Sequence, residues 1–114
     1  MTSEDQNFEL YAGDSKDIVV TVTDSNGAAV NLTNFTIFWK LTLLPTSSTA
    51  LISKAVGTGI VKTNPSGGIF TVTITNTDTA TLAGCYYHEA KIVDGSSNEF
   101  TVTSGRAIIH SSVV

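Results

Sequence analysis

The sequence predicts an all-β fold, an antiparallel sandwich of two sheets with about 7–9 strands. Three observations carry that expectation. Apolar and polar residues alternate with period two along most of the 114 residues. The alternating runs are short and are separated by clusters of Gly, Asn, Asp, Ser and Pro. No segment has the apolar spacing of a long helix. Composition agrees: only 14% of the chain is charged, and roughly a quarter is Ser or Thr, which suits strands because β-branched side chains lose rotamer freedom in a helix. One domain fits this length, over residues 8–114, with residues 1–7 expected to form a loosely ordered polar tail.

Taken in order, residues 16–23 place Ile18, Val20 and Val22 on one face and Val19, Thr21 and Thr23 on the other, the pattern of a half-buried strand. Asp24-Ser25-Asn26-Gly27 then turns the chain, and Asn31-Leu32-Thr33 is a short linking piece. The central strand spans 35–44, with Phe35, Ile37, Trp39, Leu41 and Leu43 set against Thr36, Phe38, Lys40, Thr42 and Leu44. Pro45 ends it, since proline cannot donate to a ladder. Trp39, in the middle of that apolar row, is expected in the core.

A modest strand over 51–56 follows, then a break at Gly57-Thr58-Gly59 and a short strand over 60–62. Asn64-Pro65-Ser66-Gly67-Gly68 is the strongest turn signal in the chain. Beyond it Phe70, Val72 and Ile74 alternate with Thr71, Thr73 and Thr75, predicting a strand whose outer face is a threonine ladder. Thr77 or Asp78 could cap a single helical turn running through Leu82. The strand over 85–93 turns Tyr86, His88, Ala90 and Ile92 inward. Asp94 to Asn98 turns the chain again, and a final pair of strands, broken at Gly105, ends in 107–110.

The segment from Thr77 to Ala90 has the form of the corner that precedes a late strand of an immunoglobulin-like sandwich. In such corners a buried tyrosine returns its hydroxyl to upstream backbone, because a phenol removed from water needs a partner. The segment carries two tyrosines, Tyr86 on the face expected inward and Tyr87 on the other.

Charge narrows the partners. A net charge of −4, with the six cations scattered, leaves no basic field for neutralising phosphates, so no nucleic acid is expected. No run approaches the ~20 apolar residues of a membrane-spanning helix, so no membrane insertion is expected. One cysteine, Cys85, allows no intrachain disulfide, and the polar opening Met1 to Asn7 has no signal-peptide pattern. Synthesis and retention in a reducing cytosol follow as an expectation, with any release by lysis or a non-classical route.

Chemistry has few footholds. Neither His88 nor His110 belongs to a zinc spacing, and no Gly-x-Ser-x-Gly elbow is present, so no catalytic residues, cofactor or metal are assigned and the chain is read as a non-enzyme. His88 reads as a hydrogen-bonded strand residue, His110 as an exposed terminal one and Cys85 as inert. Asp14, Asp17 and the Asp24 turn invite calcium, but the EF-hand spacing is absent and the turn explains the residues by itself. Phe38 and Tyr87 fall on otherwise polar faces and are candidate interface residues, as is the apolar end Val113-Val114, which could add an edge strand to a neighbour.

Gly13-Asp14 before a strand, Asp24-Ser25-Asn26-Gly27, the run Val30 to Trp39, Pro65-Ser66-Gly67-Gly68, Asp78-Thr79 and Gly84-Cys85-Tyr86-Tyr87-His88-Glu89 occur in an order that spans residues 8–110. In that order the chain resembles small immunoglobulin-like β-sandwich proteins of tailed-phage structural modules, similar to the N-terminal domain of phage baseplate upper proteins. The resemblance implies a virion component of the tail or baseplate, neck or capsid surface, made in the bacterial cytoplasm, whose partners are other virion proteins and further copies of itself. Baseplate upper proteins continue into a longer part, so a stand-alone decoration, adaptor or oligomer is the expectation here. The alternative is a carbohydrate- or host-surface-binding module, for which an exposed aromatic platform or a calcium-lined loop is the expected sign.

Overall fold

In the computed structural model, residues 7–44 and 49–111 are described, and they form eight strands. These are β1 (Phe8–Tyr11), β2 (Lys16–Thr21), β3 (Thr36–Thr42), β4 (Ala50–Val56), β5 (Gly59–Asn64), β6 (Ile69–Ile74), β7 (Gly84–Val93) and β8 (Glu99–His110). A 3-10 turn, Pro65–Gly67, and one helical turn, α1 (Asn76–Thr79), complete the elements. All eight strands hydrogen-bond in a single order, β1-β8-β7-β3-β4-β5-β6-β2. Val113, Val114 and residues 1–6 of the expected tail lie outside the described residues. Asn7 is held, its Oδ1 accepting from the Arg106 backbone N–H at 2.8 Å.

The alternation predicts the faces well. Ile18 and Val20 on β2, Ile37, Trp39 and Leu41 on β3, Phe70, Val72 and Ile74 on β6, and Tyr86, Ala90 and Ile92 on β7 are all buried, and every strand contributes to one shared core with Val22 and Leu32. Complete burial of Trp39 removes ~150–250 Å² from water, an upper bound of about 4–6 kcal/mol at the usual area coefficient. Outside the core, the Thr71 hydroxyl donates to the Thr63 hydroxyl at 3.4 Å, one contact of the threonine ladder on the outer surface.

Four expectations about the elements are corrected. The pairing is not antiparallel throughout: β1 runs parallel to β8, and β4 meets β5 in a two-residue parallel contact, Ala55↔Gly59 and Val56↔Ile60. Gly57 and Gly59, at φ 89° and 108°, supply the positive-φ backbone of the tight loop between these two strands. The last strands are not broken at Gly105: β8 is continuous for 12 residues, because Gly105 keeps its place in the ladder opposite His88. The helical turn is capped by Thr75 and not by Thr77 or Asp78; the Thr75 hydroxyl accepts from the Asp78 N–H, and the Asp78 carboxylate accepts from the Thr75 N–H, a capping box. Finally, Leu43 is 58% exposed, since β3 ends at Thr42 after a register shift and the alternation lapses there.

The turns hold by side-chain chemistry read from the sequence. Asp24 Oδ1 accepts from the N–H groups of Asn26 and Ala28, and Asp94 Oδ1 from those of Ser96 and Asn98. Gly68 closes the 3-10 turn at φ 73°, lying so close to β2 that its carbonyl accepts from the Val22 N–H at 2.7 Å.

Candidate functional site

β3 and β7 pair antiparallel over seven residues, from Thr36↔Val93 to Thr42↔Tyr87. Because strand side chains alternate, the inward set Ile37, Trp39 and Leu41 leaves Phe38, Lys40 and Thr42 facing out. On β7 the matching outward set is Lys91, Glu89 and Tyr87. Phe38 and Tyr87 therefore share one face. Phe38 lies opposite Lys91 and Ala55 and is 40% exposed; Tyr87 lies opposite Thr42 and Arg106 and is half-buried. Four residues along the strand separate their rows, about 13 Å at the strand rise, with the Lys40↔Glu89 pair between them.

The same face continues beyond Tyr87 into features the alternation did not identify. Leu43 and Leu44, 58% and 57% exposed, join Cys85, Tyr87 and Arg106 around an open groove of about 550 Å³. Two adjacent leucines directly before Pro45 were the available signal, since a ladder ending there can hold only one of them inward. β1 was also missed, although Phe8-Glu9-Leu10-Tyr11 alternates cleanly. Its outward residues Glu9 and Tyr11 lie beside Ile108 and His110 of β8.

On the inner side of the same two strands, His88 is fully buried, and its Nδ1 accepts from Trp39 Nε1–H at 3.2 Å. An indole nitrogen only donates, so Nδ1 carries no proton and the ring is neutral with its hydrogen on Nε2. Phe8 covers the imidazole with ring centroids 4.9 Å apart. The Tyr86 hydroxyl donates to the Ala83 carbonyl at 2.9 Å and accepts from the Ala83 N–H at 3.0 Å, the corner contact its position predicts.

Two carboxylates considered for calcium serve the backbone instead: Asp24 closes its own turn and Asp14 Oδ2 accepts from the Tyr11 N–H. Among the described residues no group of three or more His, Cys, Asp or Glu side chains converges. His110 is exposed and lies 3.1 Å from Glu9 through Nε2. Asp78 pairs with Lys54 at 2.6 Å. Burial pushes its carboxyl up, but hydrogen bonds from Lys54 and Thr75 and the Lys54 charge outweigh this and hold it below the ordinary carboxylate value.

No family model and no curated protein matches the chain. Among solved structures, a chain from a crystal structure of a chicken TCR superimposes with a TM-score of 0.66 at 11% sequence identity. The match covers 99% of this chain and 57% of the receptor chain, so this chain spans little more than half of that relative's length. At that identity the likeness establishes a fold, an immunoglobulin-like arrangement of β-strands.

Proposed function

We propose that this chain is a non-enzymatic virion protein of a tailed phage, a component of the tail or baseplate, neck or capsid surface, that docks on other virion proteins and on copies of itself through the outer face of β3 and β7. The observation that carries the docking reading is the shared face of Phe38 and Tyr87, extended by the exposed Leu43 and Leu44. Large side chains left on an otherwise polar sheet surface are the usual anchors of protein contacts. The phage assignment rests on the ordered sequence motifs.

The eight-strand order is read as two layers, β1-β8-β7-β3-β4 and β5-β6-β2, whose ladders meet, among the described residues, at the two-residue β4–β5 pairing. Burial of inward side chains from every strand in one core supports that reading. A non-catalytic role is supported by His88, whose Nδ1 is engaged by Trp39 in the closed interior.

Light scattering across a concentration series, with co-purification on phage particles, tests the function. A discrete oligomer or particle association, weakened about tenfold or more by Phe38→Ser or Tyr87→Ser, is the expected result. A clean monomer at every concentration that never accompanies particles overturns it.

A further inference from the structure

Across β8 from β7, the end of β1 and the start of β2 line an open cleft of about 310 Å³, at the lower end of the ~300–1,000 Å³ range of small-molecule sites. Glu9, Tyr11, Asp14, Lys16 and His110 line it. Tyr11 presents an aromatic ring that is 56% exposed and held in place: its ring packs on His110 with centroids 5.1 Å apart, and its N–H donates to Asp14 Oδ2. The Ala12 N–H, donating to the His110 carbonyl at 2.8 Å, fixes the backbone behind it. Phe38 is exposed too, yet it lines neither this cleft nor the Leu43–Leu44 groove.

From this arrangement we infer that the Tyr11 cleft is a subsite for a neutral sugar ring. The C–H bonds of a pyranose carry slight positive charge and match the negative face of a phenol ring. Its hydroxyls donate to carboxylate oxygens, and Glu9 and Asp14 bring carboxylates to the cleft, one oxygen of each already engaged, by His110 Nε2 at 3.1 Å and by the Tyr11 N–H at 3.3 Å, while Lys16 supplies a donor for a hydroxyl or ring oxygen. The carboxylates of Glu9 and Asp14 repel a further anion, which disfavours sialylated or phosphorylated sugars. Preorganisation of Tyr11 by His110 lowers the ordering cost of binding, and a single open subsite of this kind binds at millimolar strength. The Tyr11 cleft and the Leu43–Leu44 groove share no lining residue, and sugar binding is read without reference to association, so this inference is tested independently of the virion reading.

The test is a two-dimensional amide NMR titration of the full chain with the methyl glycosides of glucose, galactose and mannose and with N-acetylglucosamine, using sialic acid as the anionic comparator. Saturable shifts centred on Tyr11, Asp14 and His110 with at least one neutral sugar, and none with sialic acid, are expected. Tyr11→Phe keeps the ring and should bind within about threefold of the parent, whereas Tyr11→Ala should weaken binding about tenfold or more. Both replacements are at an exposed position, and unchanged melting temperatures establish that the variants are folded. Absence of saturable shifts with every neutral sugar up to about 50 mM, equal binding by Tyr11→Ala, or equal binding of sialic acid overturns the inference.

Discussion

Replacement of Trp39 or His88 tests whether the buried indole–imidazole hydrogen bond, and not packing alone, fixes the interior. Both side chains are fully buried and bonded at 3.2 Å. His88→Leu keeps most of the volume but leaves the Trp39 N–H without its acceptor, a loss of about 1–3 kcal/mol. Trp39→Phe strands His88 Nδ1 and opens a small void, at about 2–4 kcal/mol. In the double variant neither orphan remains, so its cost should fall about 1–2 kcal/mol short of the sum. Trp39→Ala adds a full cavity to the orphaned acceptor, about 4–8 kcal/mol, which consumes much of the ~5–15 kcal/mol that holds a domain of this size. Urea unfolding at pH 7, followed by far-ultraviolet circular dichroism, measures all four; the lone tryptophan offers a second probe where it is retained. Additivity of the two single changes within about 0.5 kcal/mol would refute the argument.

Gly68→Ala should destabilise by about 2–4 kcal/mol and lower the melting temperature by at least about 10 °C, because the residue sits at φ 73° and an added Cβ would lie 2.5 Å from the Val22 carbonyl oxygen and 2.9 Å from that of Val30. Tyr86→Phe should cost about 1–2 kcal/mol by removing both Ala83 contacts, while Tyr87→Phe, on the outer face, should stay within about 0.5 kcal/mol; equal effects in thermal melts would contradict the corner assignment. Asp78 has a lowered folded value, so its contribution is present above the unfolded carboxylate value near pH ~4 and is lost as pH falls through the folded one. Asp78→Asn should therefore show a smaller loss of stability between pH ~5 and ~2 than the parent, by about 0.5–1 kcal/mol, in urea titrations at each pH.

What the sequence made legible was decided locally. Strand faces on β2, β3, β6 and β7 follow from alternation, and the Asp24, Asn64 and Asp94 turns follow from residues that bond their own backbone. The partnership of strands was not legible, because period two fixes which side a residue faces and says nothing of its neighbour. The parallel β1–β8 pairing joins segments about 100 residues apart, and its short strand passed unnoticed. Gly105 read as a break because isolated glycine often marks one, yet pairing with β7 carries β8 through it. Phe38 and Tyr87 were visible as exposed aromatics on separate strands; that they share a face depends on the β3–β7 register. The Tyr11 cleft takes most of its lining from residues 9–16, where the alternation of Phe8 to Tyr11 was the available signal, but the approach of His110 depends on the β1–β8 pairing.

That register links the interior to the proposed docking face. Phe38 precedes Trp39 in the chain and Tyr87 precedes His88, so each outward anchor is the immediate neighbour of one partner in the buried bond. A one-residue slip of β7 against β3 would turn Tyr87 inward and His88 outward, and the Trp39 hydrogen bond could not form. Apolar packing alone tolerates many exchanges of shape, whereas a single donor meeting a single acceptor in a dry core discriminates between registers. Beside the apolar alternation, which the same slip would violate at Tyr86, Ala90 and Ile92, the bond reinforces the alignment of Phe38, Lys40, Glu89 and Tyr87 on one surface as well as contributing to stability. His88→Leu should consequently impair docking more than its loss of stability accounts for: at a temperature where the variant is still fully folded by circular dichroism, its association should be weaker than that of Tyr86→Phe, which lowers stability comparably while leaving the β3–β7 bond intact. Equal association by the two variants would remove the register role and leave the bond a purely stabilising one.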